Sequence, residues 1–441
     1  MMQEESFRLK LFLPAQGAAE TEVTIIEWNV TEGDCFEAGQ PLAQVDSAKS
    51  VFDFEAPCAG KVIRRLHLEG ETLALNEPVM EIETSDPAMG DWIPPAPAAV
   101  DPEHPASEAS RPANRATDGR SDVYLRGFGG YLPQRVVTNE ELARTYPSVS
   151  AEYVFQVTGI RERRWAADGE KPSDMAYAAS LEAIRRSGVD AKDIGALILA
   201  TTTPDMAMPS TACIVQDRLS LRGIPAFDLN AACSGWLYAV SMAQGMIRCG
   251  LAQHVLTVGV DMQSRLLDAN DQSAYFIFGD GAGATVVSAT GPGHRVCDVL
   301  LGSDTRGLRM ARREEPGYVV LNGRCLSDPW IRLEGHSLFR LATESFQELI
   351  CSSLRRAGWR KDEPRWIVPH QANGRILKAA AKRCGLPFER FYLNIDHVGN
   401  TSSASIPLAL TELEADLHRG DKLLLCSVGA GMTTAAVALE W

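Results

Sequence analysis

Apolar and polar positions follow two different periods along this chain. Over the first 86 residues the apolar positions alternate in short runs broken by glycine and proline, which predicts β-strands joined by tight turns. TEGDCFEAGQPLAQVD (31–46) aligns without gaps to LEGETLALNEPVMEIE (68–83), matching Gly33 with Gly70, Pro41 with Pro78 and Val45 with Ile82. Each copy reads as a glycine turn and a strand. Between them, VDSAKSVFDFEAPCAGKV reads as two short strands around a tight turn with Lys49 near its tip. From Val123 the pattern becomes an alternation of strands and helices, which predicts an α/β domain. GALILATTT (195–203) is a buried strand by its short apolar run, and SDMAYAASLEAIRRSG (173–188) is a helix with a Ser/Asp start and a glycine stop.

The segment 87–121 fits neither period. It holds 7 Pro and 8 Ala in 35 positions, a composition that denies backbone donors and favours extended chain. Such a tether reaches about 30 Å if coiled and roughly 100 Å if extended. The expected organisation is therefore a small β-module over 1–86, a Pro/Ala-rich linker over 87–121 and a large α/β domain over 122–441.

Composition narrows the function classes. With 441 residues, 45% hydrophobic and 23% charged, the chain is globular in type. It has no run of 18 apolar residues, so no membrane-spanning helix is expected. Charges are spaced too closely in the first twenty residues for a signal-peptide core. Ten cysteines are scattered without a C-x-x-C pair, which predicts reduced thiols in a cytoplasmic protein and no metal site. The net charge of −14 is unevenly placed: residues 1–86 hold 17 Asp/Glu against 6 Lys/Arg, and the remainder is nearly neutral. Neither part has the basic excess that nucleic acid requires.

Three strand-to-helix junctions carry the candidate chemistry. In PAFDLNAACSGWLYAVSMAQGMIRCG (225–250), Cys233 lies between a short strand and an amphipathic helix, where the helix dipole favours thiolate. In RWIVPHQANGRILKAAAKRCG (365–385), His370 follows a strand directly. In NIDHVGNTSSASIPLALTEL (394–413), Asn400 precedes a helix, the usual place of an N-cap. Taken singly, a core cysteine, a capped surface histidine and a capping asparagine are the bland alternatives. Together they lie at strand ends, where open α/β folds gather their sites. GDGAGA (279–284) is followed by β-branched TVV and lacks the third glycine of a dinucleotide fingerprint, so it reads as a close-packed glycine turn.

DLNAACSGW, PHQANGRI and HVGNTSSASIPLAL, with VTGIRERRWA, FGDGAGATVV and SVGAGMTTAAVALEW, resemble the motifs of β-ketoacyl-ACP synthase III over about 123–441. That resemblance implies a thiolase-like five-layered αβαβα fold, a homodimer, and condensation of an acyl group with a malonyl-type thioester in fatty-acid or polyketide synthesis. Cys233 would carry the acyl group, His370 and Asn400 would bind the extender's carbonyl, and the backbone N–H groups of Cys233 and Ala430 would form the oxyanion hole. Tyr153 stands at a tryptophan position of the coenzyme A grip, while Val157 and Gln272 replace its two arginines. Arg375 matches a tunnel-entrance arginine, Arg340 a position for docking acyl-carrier protein, and Met208 a residue of the acyl pocket. Condensation itself would need no cofactor.

Residues 7–86 are similar to the lipoyl/biotinyl family, an all-β flattened barrel that displays one lysine. The resemblance makes Lys49, in Ala48-Lys49-Ser50, the candidate for a lipoyl amide; the alternative is an unmodified docking module. Two further readings differ in chemistry: a cysteine acyltransferase without decarboxylation, and a carrier or docking protein whose synthase half is a scaffold.

Overall fold

The computed structural model describes residues 6–13, 22–47, 51–74, 77–89, 122–314, 320–321, 324–325 and 328–441, in two compact units, 1–116 and 117–441. Lys49 lies outside the described residues.

The first unit contains eight strands: β1 (Phe7–Phe12), β2 (Glu22–Trp28), β3 (Cys35–Phe36), β4 (Pro41–Ser47), β5 (Val51–Glu55), β6 (Gly60–Arg65), β7 (Thr72–Ala74) and β8 (Pro78–Thr84). They form two four-stranded antiparallel sheets, β1-β8-β6-β3 and β5-β4-β2-β7. The sequence repeat is a spatial pseudo-twofold. Gly33 N–H donates to Val62 O at 2.8 Å and the matching Gly70 N–H to Ile25 O at 2.7 Å, while Asn29 N–H to Leu42 O is matched by Leu66 N–H to Val79 O. Both glycines have left-handed φ, 98° and 82°, a conformation that side chains with a Cβ resist. The inward residues of both copies, Leu42, Val45, Val79 and Ile82 among them, share one core and are shielded from water. Strands β4 and β5, which flank Lys49, pair antiparallel as far as Asp46 and Val51. A turn at Pro87–Met89 adds the buried Met89 to that core, so this unit packs three residues beyond position 86.

The second unit is built on β9 (Tyr124–Tyr131), β10 (Ala196–Ala200), β11 (Ala226–Leu229), β12 (His254–Met262), β13 (Asp280–Ser288), β14 (His294–Ser303), β15 (Trp366–Pro369), β16 (Lys422–Gly429) and β17 (Thr433–Glu440). Six of its helices matter for the site: α1 (Ala151–Thr158), α2 (Pro172–Ser187), α3 (Gly235–Arg248), α4 (Gly335–Ala357), α5 (Gly374–Cys384) and α6 (Ser405–Leu413). Layering follows from which faces are apolar. Helices α3 and α6 pack against residues of both sheet halves, from Ile198 and Val255 to Leu425 and Val437. Outside them, α2 covers one half through Met175, Ala179 and Ala183, and α4 with α5 covers the other through Phe346, Ile350, Leu377 and Ala380. This is the αβαβα sandwich. Strands β10 and β13 are buried at every position, as strands covered on both faces must be.

The two sheets of the sandwich join in one nine-stranded ladder, β11-β10-β12-β13-β9-β14-β17-β16-β15. Only His294↔Leu125 and Arg295↔Tyr124 link β14 to β9, so the continuity is a narrow bridge. His294 itself stacks on Trp441, with ring centroids 3.5 Å apart, and on Phe128. Burial holds its imidazole down at about 4. The glycine run 279–284 is strand from Asp280 onward rather than turn: a Cβ at Gly283 would lie 2.6 Å from Pro407 Cγ of α6. Its glycines permit the middle helix to approach the sheet.

Candidate active site

Four chain segments distant in sequence meet at one cavity of about 260 Å³. The chain leaves β11 and forms a 3-10 turn, Ala232–Ser234, before α3 begins. This turn holds Cys233. His370 follows the last residue of β15, Ala430 follows β16, and the loop ahead of α6 supplies Asn400 and Ser402. All five line the cavity. Ala232 and Ser402 are non-glycine residues at left-handed φ, 48° and 51°. Such backbone strain collects at functional sites, and here it flanks the thiol.

Cys233 is partly exposed through the cavity. Its Sγ accepts from Ser402 Oγ at 3.6 Å, and the backbone N–H groups of Cys233 and Ala430 also favour its anionic form. Burial outweighs these donors and pushes the thiol up to about 11. The resting group is therefore a thiol, which corrects the expected thiolate. Cys233 occupies the turn ahead of α3 rather than that helix's first turn, and the buried setting dominates the dipole. Ser427 Oγ donates to Cys233 O at 3.0 Å, and Thr433 Oγ1 to Ala231 O at 2.8 Å, so the turn is tied to β16 and β17.

His370 is buried, its backbone N–H donating to Cys426 O at 2.7 Å. The imidazole Nδ1 lies 2.7 Å from Ser405 Oγ, at the first residue of α6. If Ser405 donates, its hydroxyl proton has an acceptor and the imidazole proton sits on Nε2, free for the cavity; the opposite tautomer strands the hydroxyl proton. Desolvation pushes His370 down to about 3, so the ring is neutral at any working pH. Asn400 Oδ1 accepts from Ser402 N at 2.9 Å and Nδ2 donates to Ala372 O at 3.3 Å. An amide has two N–H donors, so a second remains for a ligand. A separate 3-10 turn, Ser402–Ala404, starts the helical segment, which corrects the expectation of a plain N-cap at Asn400.

The two family models that cover this unit match where these groups lie: 3-oxoacyl-[acyl-carrier-protein] synthase III over 227–305, and its C-terminal part over 354–441. A β-ketoacyl-[acyl-carrier-protein] synthase III of Laribacter hongkongensis is 39% identical over 323 residues, 72% of this chain and 98% of that one. The chain belongs to the synthase III family. A Vibrio cholerae synthase III is 40% identical over 320 residues, covering 72% and 99%. The solved 3-oxoacyl-[acyl-carrier-protein] synthase III of Aquifex aeolicus superposes with a TM-score of 0.67 at 37% identity, covering 72% of this chain and all of that one. Residues 10–82 match the biotin/lipoyl model, described as biotin-requiring enzyme.

The remaining predicted residues of the synthase III unit separate. Tyr153, Val157 and Gln272 come together on a second cavity of about 280 Å³ that shares Ser273, Ile277 and Asn373 with the first. Arg375 is exposed near the start of α5, its backbone N–H donating to Asn373 Oδ1 at 2.8 Å, and Arg340 is half-buried on α4; neither lines either of these two cavities. Met208 is 84% exposed and away from both cavities, so this chain's own pocket is not lined by it. Three contributors escaped the sequence reading: Ser402, Ser405 and Asp261. Buried Asp261 accepts from Thr202 N at 2.7 Å and from Ser403 N at 3.0 Å, pinning the end of β10 to the Asn400 loop. The serines stood in the quoted TSSAS run, but no periodicity marks which of them face the thiol or the imidazole.

Two expected outcomes follow from the histidines and their partner. Ser405→Ala lets the imidazole sample both tautomers, so the decarboxylation rate falls about tenfold, in keeping with one lost hydrogen bond, while Ser405→Thr restores it. Nitrogen NMR of His370 then moves from an Nε2–H signature towards a mixture. Separately, His370 and His294 have folded pKa values below the unfolded value of about 6.5. The unfolded chain therefore binds more protons below that pH, and stability falls as pH drops. Between pH 7 and 5 the loss is about 2 kcal/mol per histidine, measured as the part of the denaturant-midpoint shift that His294→Gln removes.

Proposed function

We propose that the protein is a decarboxylating acyl-thioester condensing enzyme. The observation that carries this reading is the convergence on Cys233 of two backbone donors, with a neutral His370 and an Asn400 N–H on the same cavity. In the first half-reaction Cys233 Sγ attacks the carbonyl of an acyl thioester. The N–H groups of Cys233 and Ala430 hold the developing oxyanion. The bond to the donor sulfur breaks, and the proton lost from Cys233 ends on the departing thiol, so a high thiol pKa at rest is compatible with exchange. In the second, the thioester oxygen of a malonyl-type extender accepts from His370 Nε2 and Asn400 Nδ2. Carbon dioxide leaves, the enolate is stabilised by those two neutral donors, and its carbon attacks the acyl carbonyl. Cys233 departs and regains a proton.

Further assignments accompany this reading. Acyl-carrier protein supplies the extender, with Arg340 and Arg375 at the approach, and Tyr153 faces the incoming donor arm. Two chains associate through the edge of β11, where Phe227 is 38% exposed; Met208 then lines the partner's pocket instead of its own. Lys49 carries a lipoyl amide on a module joined by the 87–121 tether, in a cytoplasmic setting that keeps the cysteines reduced. Incubation with an acyl donor and a carboxyl-labelled malonyl thioester tests the central claim. Labelled carbon dioxide should appear in step with a lengthened β-keto product, whereas acyl transfer without it would leave a plain acyltransferase.

A further inference from the structure

Resting on that condensing reading, we infer that the second cavity is the entry slot for the acyl donor and takes the thioester of an uncharged dihydrolipoyl arm rather than a free nucleotide coenzyme. The cavity adjoins the Cys233 pocket through Ser273, Ile277 and Asn373, so an arm lying in it leads towards the thiol. None of its ten described lining residues carries a charge. Val154, Val157 and Phe276 supply apolar wall, Tyr153 presents a ring that is 56% exposed, and Gln272 and Ser273 supply amide-compatible polar groups.

A nucleotide coenzyme brings several phosphate charges, which are held by cationic side chains or by unsatisfied N–H groups at helix starts. Here the three helix starts beside the slot, those of α1, of the short helix Gln272–Tyr275 and of α5, are already capped by the protein, the last by Asn373 Oδ1. Ser150 Oγ accepts from Tyr153 N at 3.1 Å, and Asp271 Oδ1 accepts from Ser273 N at 2.9 Å. The second cap is a carboxylate whose other oxygen is paired with Arg332 at 3.1 Å, so that cation too is already engaged by the protein. An uncharged arm with one amide and a terminal thiol suits this lining, and residues 10–82 match the module family that bears such arms. Transfer is a thiol exchange. The acyl–sulfur bond to the arm breaks, that to Cys233 forms, and the Cys233 proton passes to the arm, with no change of oxidation state.

The test compares acylation of the Cys233 peptide by mass in the full chain. The donors are S-acyl-dihydrolipoamide, acyl-CoA and acyl-carrier thioester, over a matched series of short acyl groups. Dihydrolipoamide should be preferred over acyl-CoA about tenfold or more in kcat/KM. Val157→Arg with Gln272→Arg should raise the acyl-CoA to dihydrolipoamide ratio by about tenfold, as a charge-assisted contact does. Gln272 is exposed, so Gln272→Arg alone gives a folded variant that should move the ratio the same way. Preference for acyl-CoA or for the acyl-carrier thioester overturns the inference and leaves the condensing reading intact. Acylation by none of the three overturns the condensing reading itself. Acyl groups loaded on lipoylated full-length protein distinguish the sources: transfer lost in Lys49→Arg assigns the arm to this chain, and transfer kept only with added lipoamide assigns it to a separate carrier.

Discussion

Cys233→Ala is expected to abolish chain extension, with product formation falling at least about a thousandfold, because the covalent acyl intermediate has no other attachment point. Malonyl decarboxylation should survive in part. In the proposed mechanism His370 and Asn400 act on the extender rather than on the thiol, and their supports, Ser405, Cys426, Ala372 and Ser402, are untouched by the change. The informative result is this split: carbon dioxide released without product. Loss of both activities would mean that decarboxylation needs an acylated thiol. Retention of product formation would sink the assignment of Cys233 and revive a scaffold role for the α/β unit.

Gly429→Ala should be nearly as severe, for a steric reason. A Cβ at Gly429 would lie 2.9 Å from Cys233 N, 3.0 Å from Ser234 N and 2.7 Å from Thr433 Oγ1. All three belong to the tie between the nucleophile turn and the β16–β17 corner, and backbone atoms do not yield as a flexible side chain does. The Cys233 and Ala430 N–H groups would be pushed out of alignment with the oxyanion. Removing one such donor costs about a hundredfold to a thousandfold in kcat. The thermal midpoint should move far less than activity, since the sheet cores are untouched. Acylation rate and thermal midpoint measured on the same preparation separate the two effects. An acylation rate within a few-fold of the parent would mean that these N–H groups do not stabilise the transition state.

Much of this could be read from residue order. The strand at 195–203 and the helix at 173–188 announce themselves by period and by their end signals, and they appear as β10 (Ala196–Ala200) and α2 (Pro172–Ser187). The offset repeat in the module was legible too, because a pseudo-twofold leaves matched glycines with matched left-handed φ. What escaped was set by tertiary proximity. The pKa of Cys233 depends on burial by segments about 170 and 200 residues downstream, which no local dipole argument includes. Ser405 looks like any helix-start serine until His370, 35 residues earlier, is found 2.7 Å away. Met208 was assigned a pocket by position alone, and its 84% exposure places it outside the pocket of its own chain.

The place of β17 in the ladder bears on the order in which the protein is built. Residues 433–440 lie between β14 and β16, so an interior strand of the sheet is synthesised after all the other strands of that ladder. The nucleophile turn, tied to Thr433, is not secured until then. The module, in contrast, builds its described core from residues between Phe7 and Met89. Chains rich in long-range pairings fold slowly, and domains emerging first tend to fold first. On the proposed lipoylation of Lys49, the module would be open to a modifying ligase while the thiol is still unassembled, and Lys49 would be modified before a competent Cys233 exists.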